Sequence, residues 1–426
     1  MSPAGGRPGV GSELGRREFL AATGLAVGAS LGGCSENRET PEPLPEVTDG
    51  DWPMVHRSRT HRRTLPDASA PSSSPSEVWR REFDPIVNRV LSVGDRLLVG
   101  VGASLSTYET RTVALDPETG ETLWDRPERL GNAVVDGTMV RGGSAVVARD
   151  LEDGAVRWRH ETPTVRGGVH GDVTKSAVAY PPAVHDGTVY VAVGAPTDIR
   201  PSVRRGGLPR VLALDLATGE RRWTYRFEEG TEGVLPTAVT VDADRIYVAD
   251  RALDPASGEP VWRYRADADR PEYAPPTVGR DVAYLYATAS PFVAAVDAET
   301  GETEWRTDAV PAGADADCPV TLADGRVYCG GVALDAGTGD REWSQWEHAG
   351  VHAPVGERTY TVRRTDGLDP VAVAVDAATG EPAWKEQLLP EFDHSRFLEP
   401  PVVGDGRVYV AGSEANQVSG AVAAFE

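Results

Sequence analysis

A short pattern of residues recurs seven times along the chain. In each copy an Asp is followed four residues later by Gly and eight residues later by Trp, and an apolar stretch precedes the Asp. The copies run from Asp116 to Trp124, Asp150 to Trp158, Asp215 to Trp223, Asp254 to Trp262, Asp297 to Trp305, Asp335 to Trp343 and Asp376 to Trp384. Their mean spacing, about 43 residues, is the length of one four-stranded blade of a β-propeller. The sequence therefore predicts a single all-β ring.

The two ends of the repeated region complement each other. Residues 423–426 align with the apolar stretch and Asp of the repeat, so the chain stops before an eighth such Trp. Trp79, near the other end, lies in a segment that looks like an outer strand with no strand before it. Pairing these segments would protect strand edges that otherwise stay exposed. We expect an eight-bladed β-propeller of four-stranded blades, closed by an N-terminal strand that completes the C-terminal blade.

The recurring residues resemble the pyrroloquinoline-quinone (PQQ) repeat family of β-propellers, whose repeat combines an apolar pair, an Asp, a Thr-Gly turn and a Trp. The resemblance covers roughly residues 79–426, and it departs from the family pattern at Asp153 and Ser257, where Thr is usual. It implies two alternative activities. Some family members are lipoproteins of the bacterial β-barrel assembly machinery, whereas others are quinoprotein dehydrogenases that hold PQQ and Ca²⁺ at the channel mouth.

The repeat residues themselves are expected to build the fold. We expect each Trp to pack between neighbouring blades and to donate a hydrogen bond through its indole N–H, while Gly takes the positive φ of the turn and Asp bonds the turn backbone. The predicted structural tryptophans are Trp79, Trp124, Trp158, Trp223, Trp262, Trp305, Trp343 and Trp384. A functional site should therefore lie elsewhere.

The N-terminus carries the pattern of an exported lipoprotein. Arg16-Arg17 precede a 14-residue apolar run that ends at Gly33, which is too short to span a bilayer and is typical of a signal peptide. Leu31-Gly32-Gly33-Cys34 resembles a lipobox, in which the Cys takes a lipid. Twin-arginine export and lipidation would anchor the protein to the outer side of the cytoplasmic membrane. An uncleaved or soluble N-terminus is the alternative.

These features divide the chain into three parts. Residues 1–33 are predicted to be the signal peptide, residues 34–78 an acidic disordered tether with a leader segment, and residues 79–426 the propeller. The leader contains a basic cluster formed by Arg57, Arg59, Arg62 and Arg63. This cluster can contact either anionic lipid headgroups or the acidic surface of the propeller.

The acidic composition tells more about the solvent in which the protein works than about the partner that it binds. The net charge is −22, and the 43 basic residues include only the lysines Lys175 and Lys385. Such acidity resembles that of proteins from extreme halophiles, because salt at 1 M shortens the Debye length to about 3 Å and makes the charge tolerable. Binding of nucleic acid is disfavoured, since the sequence has no basic stripe of sufficient size.

Two cysteines remain besides Cys34. Cys318 and Cys329 lie on either side of the Asp324-Gly325 turn, so a cross-strand disulfide is one outcome in an exported protein, depending on a register that the sequence does not determine. The chain has no Cys-x-x-Cys-His haem motif. It also lacks the adjacent cysteines that PQQ-dependent alcohol dehydrogenases carry beside their cofactor.

Loop lengths point to one face of the ring. The first-to-second and third-to-fourth turns of every blade share one face, and the other connections share the opposite face. The sizeable insertions all belong to the second set: residues 102–111, 159–175, 194–210, 307–317 and 387–399. Because binding residues concentrate in loops on a rigid scaffold, we expect a protein partner or small ligand on that face.

Candidate binding residues occur there without a catalytic constellation. Arg200, Arg204 and Arg205 can hold a carboxylate or phosphate in bidentate fashion, or form salt bridges to the acidic surface. The other candidates are His170, His348, His352, His394, Asp315 and Asp317. His348 and His352 have the spacing of a helical metal pair, but a third ligand is missing and solvated histidines are the alternative. No metal site and no catalytic residue is predicted.

The sequence therefore favours a monomeric, membrane-anchored propeller that acts without a cofactor, as an interaction or assembly scaffold or as a ligand-binding protein. The alternative is a PQQ- and Ca-dependent quinoprotein dehydrogenase acting on alcohols or sugars. The family enzymes are generally longer and carry large insertions around the cofactor, whereas the blades here are lean.

Overall fold

The computed structural model describes a protein built from β-strands. The described residues are 54, 57–62, 69–102, 110–167, 173–194, 209–228, 238–265, 272–279, 281–288, 290–310, 320–345, 351–364, 370–387, 401–404, 406–413 and 419–426. All of them belong to one compact unit, Thr40–Glu426. Within these residues every regular element is a strand, and the strands form eight blades and one separate hairpin.

Strands that follow one another along the chain are hydrogen-bonded neighbours within each blade. The first strand is β1 (Glu77–Phe83). Blade 1 contains β2 (Val87–Val93), β3 (Arg96–Gly102), β4 (Thr110–Leu115) and β5 (Thr122–Arg126). Blade 2 contains β6 (Ala133–Val135), β7 (Thr138–Arg141), β8 (Ala145–Asp150) and β9 (Val156–Glu161). The separate hairpin consists of β10 (Thr164–Gly167) and β11 (Val173–Ser176).

The next three blades include one extra short strand. Blade 3 contains β12 (Val178–Ala179), β13 (Ala183–His185), β14 (Thr188–Gly194), β15 (Arg210–Asp215) and β16 (Arg221–Arg226), and both β12 and β13 pair with β14. Blade 4 contains β17 (Thr240–Val241), β18 (Ile246–Val248), β19 (Arg251–Leu253) and β20 (Pro260–Arg263). Blade 5 contains β21 (Thr277–Val278), β22 (Val282–Ala287), β23 (Phe292–Asp297) and β24 (Thr303–Thr307).

The last three blades return to the plain pattern. Blade 6 contains β25 (Thr321–Ala323), β26 (Arg326–Cys329), β27 (Val332–Asp335) and β28 (Arg341–Ser344). Blade 7 contains β29 (Ala353–Val355), β30 (Arg358–Arg364), β31 (Pro370–Asp376) and β32 (Pro382–Glu386). Blade 8 contains β33 (Val402–Gly404), β34 (Arg407–Ser413) and β35 (Gly420–Phe425), and its fourth strand is β1.

The predicted ring closure is confirmed. Strand β1 pairs antiparallel with β35, with Trp79 opposite Ala424 and Phe83 opposite Gly420. The pairing continues beyond the strands, because Ser76 and Glu426 exchange two backbone hydrogen bonds of 2.8 and 3.0 Å. Strands from opposite ends of the chain thus form one blade, and the fold is the expected eight-bladed propeller.

The Asp of each repeat organises the turn between the third and fourth strands. In blade 1 the Oδ1 atom of Asp116 accepts hydrogen bonds from the backbone N–H groups of Glu118 and Thr119, at 2.9 and 2.8 Å, and from the Thr119 hydroxyl at 3.0 Å. Gly120 follows with φ of 67°. A Cβ atom on Gly120 would lie 2.6 Å from the ring of Trp79, so the turn requires Gly for close packing as well as for its backbone conformation.

The repeat tryptophans connect each blade to the next one. The indole N–H of Trp79, on blade 8, donates to the carbonyl oxygen of Pro117 in the Asp turn of blade 1 at 3.0 Å. The same bond, 2.7 to 3.0 Å long, joins Trp158 to Leu216, Trp223 to Pro255, Trp262 to Ala298, Trp305 to Ala336 and Trp343 to Ala377. Trp384 donates instead to Pro71 at 3.1 Å, so the N-terminal segment provides the acceptor in blade 8.

The expected indole hydrogen bond does not hold at Trp124. The equivalent acceptor, the carbonyl oxygen of Leu151, receives a 3.0 Å hydrogen bond from the guanidinium of Arg126, which also stacks 4.3 Å from the centre of the Trp124 ring. The buried Nε1 atom of Trp124 has no hydrogen-bond partner among the described residues. The junction between blades 1 and 2 therefore lacks the bond that the other junctions share.

This difference predicts unequal effects of the same substitution at two junctions. Trp262→Phe removes a hydrogen bond between buried groups and leaves the Ala298 carbonyl without a donor, which should cost about 1–3 kcal/mol of unfolding free energy. Trp124→Phe removes no such bond and should cost less than about 1 kcal/mol. Equilibrium denaturation in urea measures both values. Equal losses at the two positions would contradict the assignment.

The Asp turns also predict how stability depends on pH. The Nη2 atom of Arg222 lies 2.7 Å from Oδ2 of Asp215, and this contact, with the N–H of Thr218, lowers the pKa of the Asp215 carboxyl to about 2. Because the folded pKa lies below the unfolded value of about 3.9, the stabilisation is complete above about pH 4 and is lost as the pH falls towards 2.

The Asp215→Asn variant keeps an oxygen for the turn but loses the ion pair. We expect its melting temperature to be lower than that of the wild type at pH 7 and to fall less steeply between pH 4 and 2. Thermal unfolding followed by circular dichroism across this range measures the effect, with Glu118→Gln in the Asp turn of blade 1 as the control. Identical pH profiles for wild type and Asp215→Asn would show that this carboxylate contributes nothing.

Candidate functional site

The two faces of the ring differ in construction. We call the face that carries the first-to-second turns and the Asp turns the turn face, and the opposite one the loop face. Turns on the turn face are tight: Asp136 and Gly137 link β6 to β7 with φ of 48° and 67°, and Asp186-Gly187 and Asp324-Gly325 repeat this geometry. The hairpin of β10 and β11 emerges on the loop face between blades 2 and 3.

Only two of the predicted site residues fall within the described structure. His352 is 2% exposed, its Nδ1 atom lies 3.1 Å from the Thr359 hydroxyl, and its ring centre lies 5.5 Å from that of Tyr328 and 6.3 Å from that of Trp343. This placement gives His352 a packing role between blades 6 and 7. Cys329 is buried at the end of β26.

The remaining predicted site residues lie outside the described residues. They are Arg200, Arg204, Arg205, His170, His348, His394, Asp315 and Asp317, together with Cys34 and Cys318. The lipidation of Cys34 and the disulfide between Cys318 and Cys329 therefore stay predictions.

A segment before the first strand lies inside the ring. The first strands of neighbouring blades contact one another, as β6 does with β13 and β13 with β17, so their free edges face the propeller axis. Met54 pairs with Ala133 on β6. Further along, the N–H of Val241 on β17 donates to the carbonyl of Arg59 at 2.8 Å, and the N–H of Val278 on β21 donates to that of Thr60 at 3.1 Å. We call residues 54–62 the axial segment.

The axial segment is held by buried polar contacts. Ser58, Thr60, His61 and Arg62 are all buried. The Thr240 hydroxyl donates to the carbonyl of Pro276, so at 3.0 Å it accepts a hydrogen bond from Nδ1 of His61. Of the basic cluster, Arg59 contacts the propeller, where its guanidinium donates to the carbonyl of Val241 at 3.3 Å. The segment occupies axial space beside blades 2, 4 and 5, near the turn face.

Asp242, a charged residue beside the axis, forms its hydrogen bonds with other groups of the protein. Asp242 accepts hydrogen bonds from the backbone N–H groups of Asp244 and Arg245 and from the Tyr247 hydroxyl at 2.7 Å. Burial, and then the Asp242 carboxylate, raise the pKa of Tyr247. Burial lowers the pKa of His185, and the nearby Arg59 guanidinium lowers it further.

Blade 4 carries a buried ion pair at the loop face that the sequence did not reveal. Asp250 contacts the guanidinium of Arg251 at 2.7 Å and that of Arg263 at 2.8 Å. Arg251 also donates to the Tyr225 hydroxyl at 2.8 Å and stacks 4.4 Å from the Phe227 ring centre. These groups bond one another, which indicates a structural role.

The described residues contain no cluster of side chains that could hold a metal ion. Calcium takes six to eight oxygen ligands with several carboxylates among them, and no group of three acidic, His or Cys side chains in the described part of the chain could hold a metal ion. The carboxylates of Asp242 and Asp250 already bond protein groups. Among these residues no helix is long and apolar enough to cross a membrane.

Fold and repeat together define a β-propeller built from PQQ-type repeats. The chain matches the family described as "Outer membrane protein assembly factor BamB" over residues 71–192, 143–252, 250–349 and 330–425. It therefore belongs to this family of PQQ-repeat propellers. No curated protein sequence matches it at a significant level.

Solved structures with the same fold include enzymes and a protein of the assembly class. A europium-containing methanol dehydrogenase superposes with a TM-score of 0.65 at 15% identity, covering 88% of this chain and 98% of that chain. The quinohemoprotein alcohol dehydrogenase ADHIIG from Pseudomonas putida HK5 gives 0.66 at 14%, covering 88% and 80%. BamB from Moraxella catarrhalis gives 0.54 at 18%, covering 83% and 99%. At these identities the similarity shows the fold alone.

Proposed function

We propose that the protein is a membrane-anchored, extracytoplasmic propeller that acts as a non-enzymatic scaffold for a protein partner. The observation that carries this proposal is the axial segment. A buried stretch of the chain's own backbone bonds the axial edges of β17 and β21 and takes space that a ligand in the channel would need. This favours binding of the partner on the loop face, where the sequence places all long insertions. Family membership supports a scaffold of the assembly-factor type.

The scaffold proposal predicts contacts from one face. Photo-crosslinking probes at Thr197, in the long loop between β14 and β15, should capture a partner in native membranes, whereas probes at Thr119, in an Asp turn, should not. Replacing Arg200, Arg204 and Arg205 by Ser should reduce capture while the melting temperature changes little, because solvated charges contribute little to stability. Adducts from Thr119 alone would show that the working face was assigned backwards.

The second candidate is a PQQ- and Ca-dependent dehydrogenase of alcohols or sugars. It is favoured by the dehydrogenases that share the fold and opposed by the lack of a fitting donor set among the described residues. If the scaffold proposal is correct, purified protein mixed with PQQ and Ca²⁺ should retain no quinone absorbance after desalting and should not reduce a dye with alcohols or aldoses. Retained quinone together with dye reduction would establish the enzyme instead.

Anchoring through one lipidated Cys is the part of the proposal that concerns location. Cys34→Ser should release the protein into the medium, since lipid is the only proposed membrane contact, and Ser35→Ala should leave it membrane-bound. Replacing Arg16-Arg17 by Lys-Lys should keep the protein inside the cell. Fractionation followed by immunoblotting measures all three. Membrane-bound Cys34→Ser protein would exclude this anchor.

A further inference from the structure

Arginines of this acidic chain commonly contact a carboxylate. Arg80 lies 2.6 Å from Glu77, Arg111 lies 2.8 Å from Asp125, and Arg157 lies 2.7 Å from Asp150. Such pairs are expected where 65 acidic residues accompany 43 basic ones. An arginine that has only other arginines around it therefore requires an explanation.

Two such arginines face each other in blade 3. Arg210 begins β15 and stands directly opposite Arg226, which ends β16. Within the described part of the chain neither guanidinium makes a hydrogen bond or an ion pair. Arg210 is half-buried, so burial lowers its pKa, and the charges of Arg226 and Arg221 lower it further. Like charges directly opposite in an antiparallel pair are destabilising, and no contact among the described residues offsets this repulsion.

A third arginine on the adjacent blade has the same surroundings. Arg141 ends β7 on the loop face, and its guanidinium donates to the carbonyl of Gly142 at 3.1 Å. Burial lowers the pKa of Arg141, and the neighbouring charges that lower it further belong to Arg129, Arg149 and Arg159. Of these neighbours, Arg149 lies towards the Asp turn of blade 2, where it donates to the carbonyl of Gly154, and Arg159 pairs with Glu161, so Arg129 and Arg141 are the positive charges of blade 2 that remain near the loop face.

Backbone contacts give the distance between the two positions. The N–H of Ala179 donates to the carbonyl of Gly143 at 2.7 Å. Ala179 stands opposite Val193, which stands opposite Arg210. At about 4.8 Å between neighbouring strands, Gly143, which lies two residues beyond Arg141, is about 15 Å from Arg210. A single small anion cannot span this distance, whereas an extended peptide covers it with about five residues at about 3.4 Å each.

We propose that the loop face of blades 2 and 3 is a docking surface for an extended acidic segment of the protein partner, with carboxylates bound by Arg210 and Arg226 at one end and by Arg141 at the other. The inference rests on the proposed scaffold function and names the partner's chemistry. A carboxylate between Arg210 and Arg226 removes their repulsion, and the guanidinium geometry suits bidentate contacts. A lipid surface fits less well, because the exposed large apolar residues of the described part, Val78, Leu123, Val156 and Val261, lie on outer strands rather than at this surface.

The chain offers a matched control for this proposal. Arg221 lies on β16 with Arg226 and is likewise exposed, but it stands opposite Leu214 at the turn-face end of the strand. The probe is fluorescein-labelled hexaglutamate, with binding to the full chain followed by fluorescence anisotropy. We expect Arg210→Gln and Arg226→Gln each to weaken binding at least fivefold, Arg141→Gln to weaken it as well, and Arg221→Gln to leave it unchanged. The melting temperature of Arg210→Gln should not fall, because the substitution removes a repulsion.

Several outcomes would overturn the inference. One is absence of hexaglutamate binding, and another is binding that Arg210→Gln and Arg221→Gln weaken equally. Inorganic phosphate or phosphatidylglycerol vesicles that bind in an Arg210-dependent way while hexaglutamate does not would replace the acidic segment by a small anion or a membrane. Crosslinks from Thr197 that persist in the Arg210→Gln, Arg226→Gln double variant would leave the scaffold function standing and remove only this surface. Absence of Thr197 crosslinks in the wild type would instead count against the scaffold function.

Discussion

The ring depends on one hydrogen bond that is repeated around it, from the indole of a Trp to a backbone carbonyl in the next blade. The indole of every donor except Trp384 lies over a Gly that has no room for a side chain, so donor, acceptor and Gly together fix the position of one blade against its neighbour. At the closure the acceptor is shared: the Pro117 carbonyl also receives hydrogen bonds from Arg407 and from the Tyr409 hydroxyl at 3.1 and 3.3 Å. Blade 8 is thus held to blade 1 by side chains as well as by the pairing of β1 with β35.

The contacts that stabilise the propeller and the surface proposed for binding lie on different faces. The Trp bonds, the Asp turns and the axial segment lie at or near the turn face, where tight turns leave little freedom for change. On the loop face the connections are longer and tolerate changes in length more readily, although Arg251 bonds the Tyr225 hydroxyl between blades 4 and 3 there. Arg210 and Arg226 illustrate the difference, because two like charges stand directly opposite each other there.

The sequence predicted the architecture well because the repeat is a local, periodic signal. Spacing of Asp, Gly and Trp was enough for the number of blades, and the unmatched Trp79 was enough for the closure. Three features escaped prediction for physical reasons. Arg126 competes with Trp124 for one carbonyl, and only the folded geometry decides such a competition. His352 looked like a loop residue but stacks on Tyr328, and the path of residues 54–62 depends on strands far away in the chain. For the site, the sequence indicated a face but not the contacts on it.

Pairing of β1 with β35 has a consequence for biosynthesis. The hydroxyl of Ser413 bonds Val87 across 326 residues, so contacts of this blade cannot form until nearly the whole chain has left the ribosome. Contacts of such long range also make folding slow. Until then β1 lacks the strand with which it pairs and presents an open edge to which other chains can add. Seven blades can therefore be complete before the eighth closes. During that time the open ring has to be kept apart from other nascent chains, which makes it a natural client for chaperones.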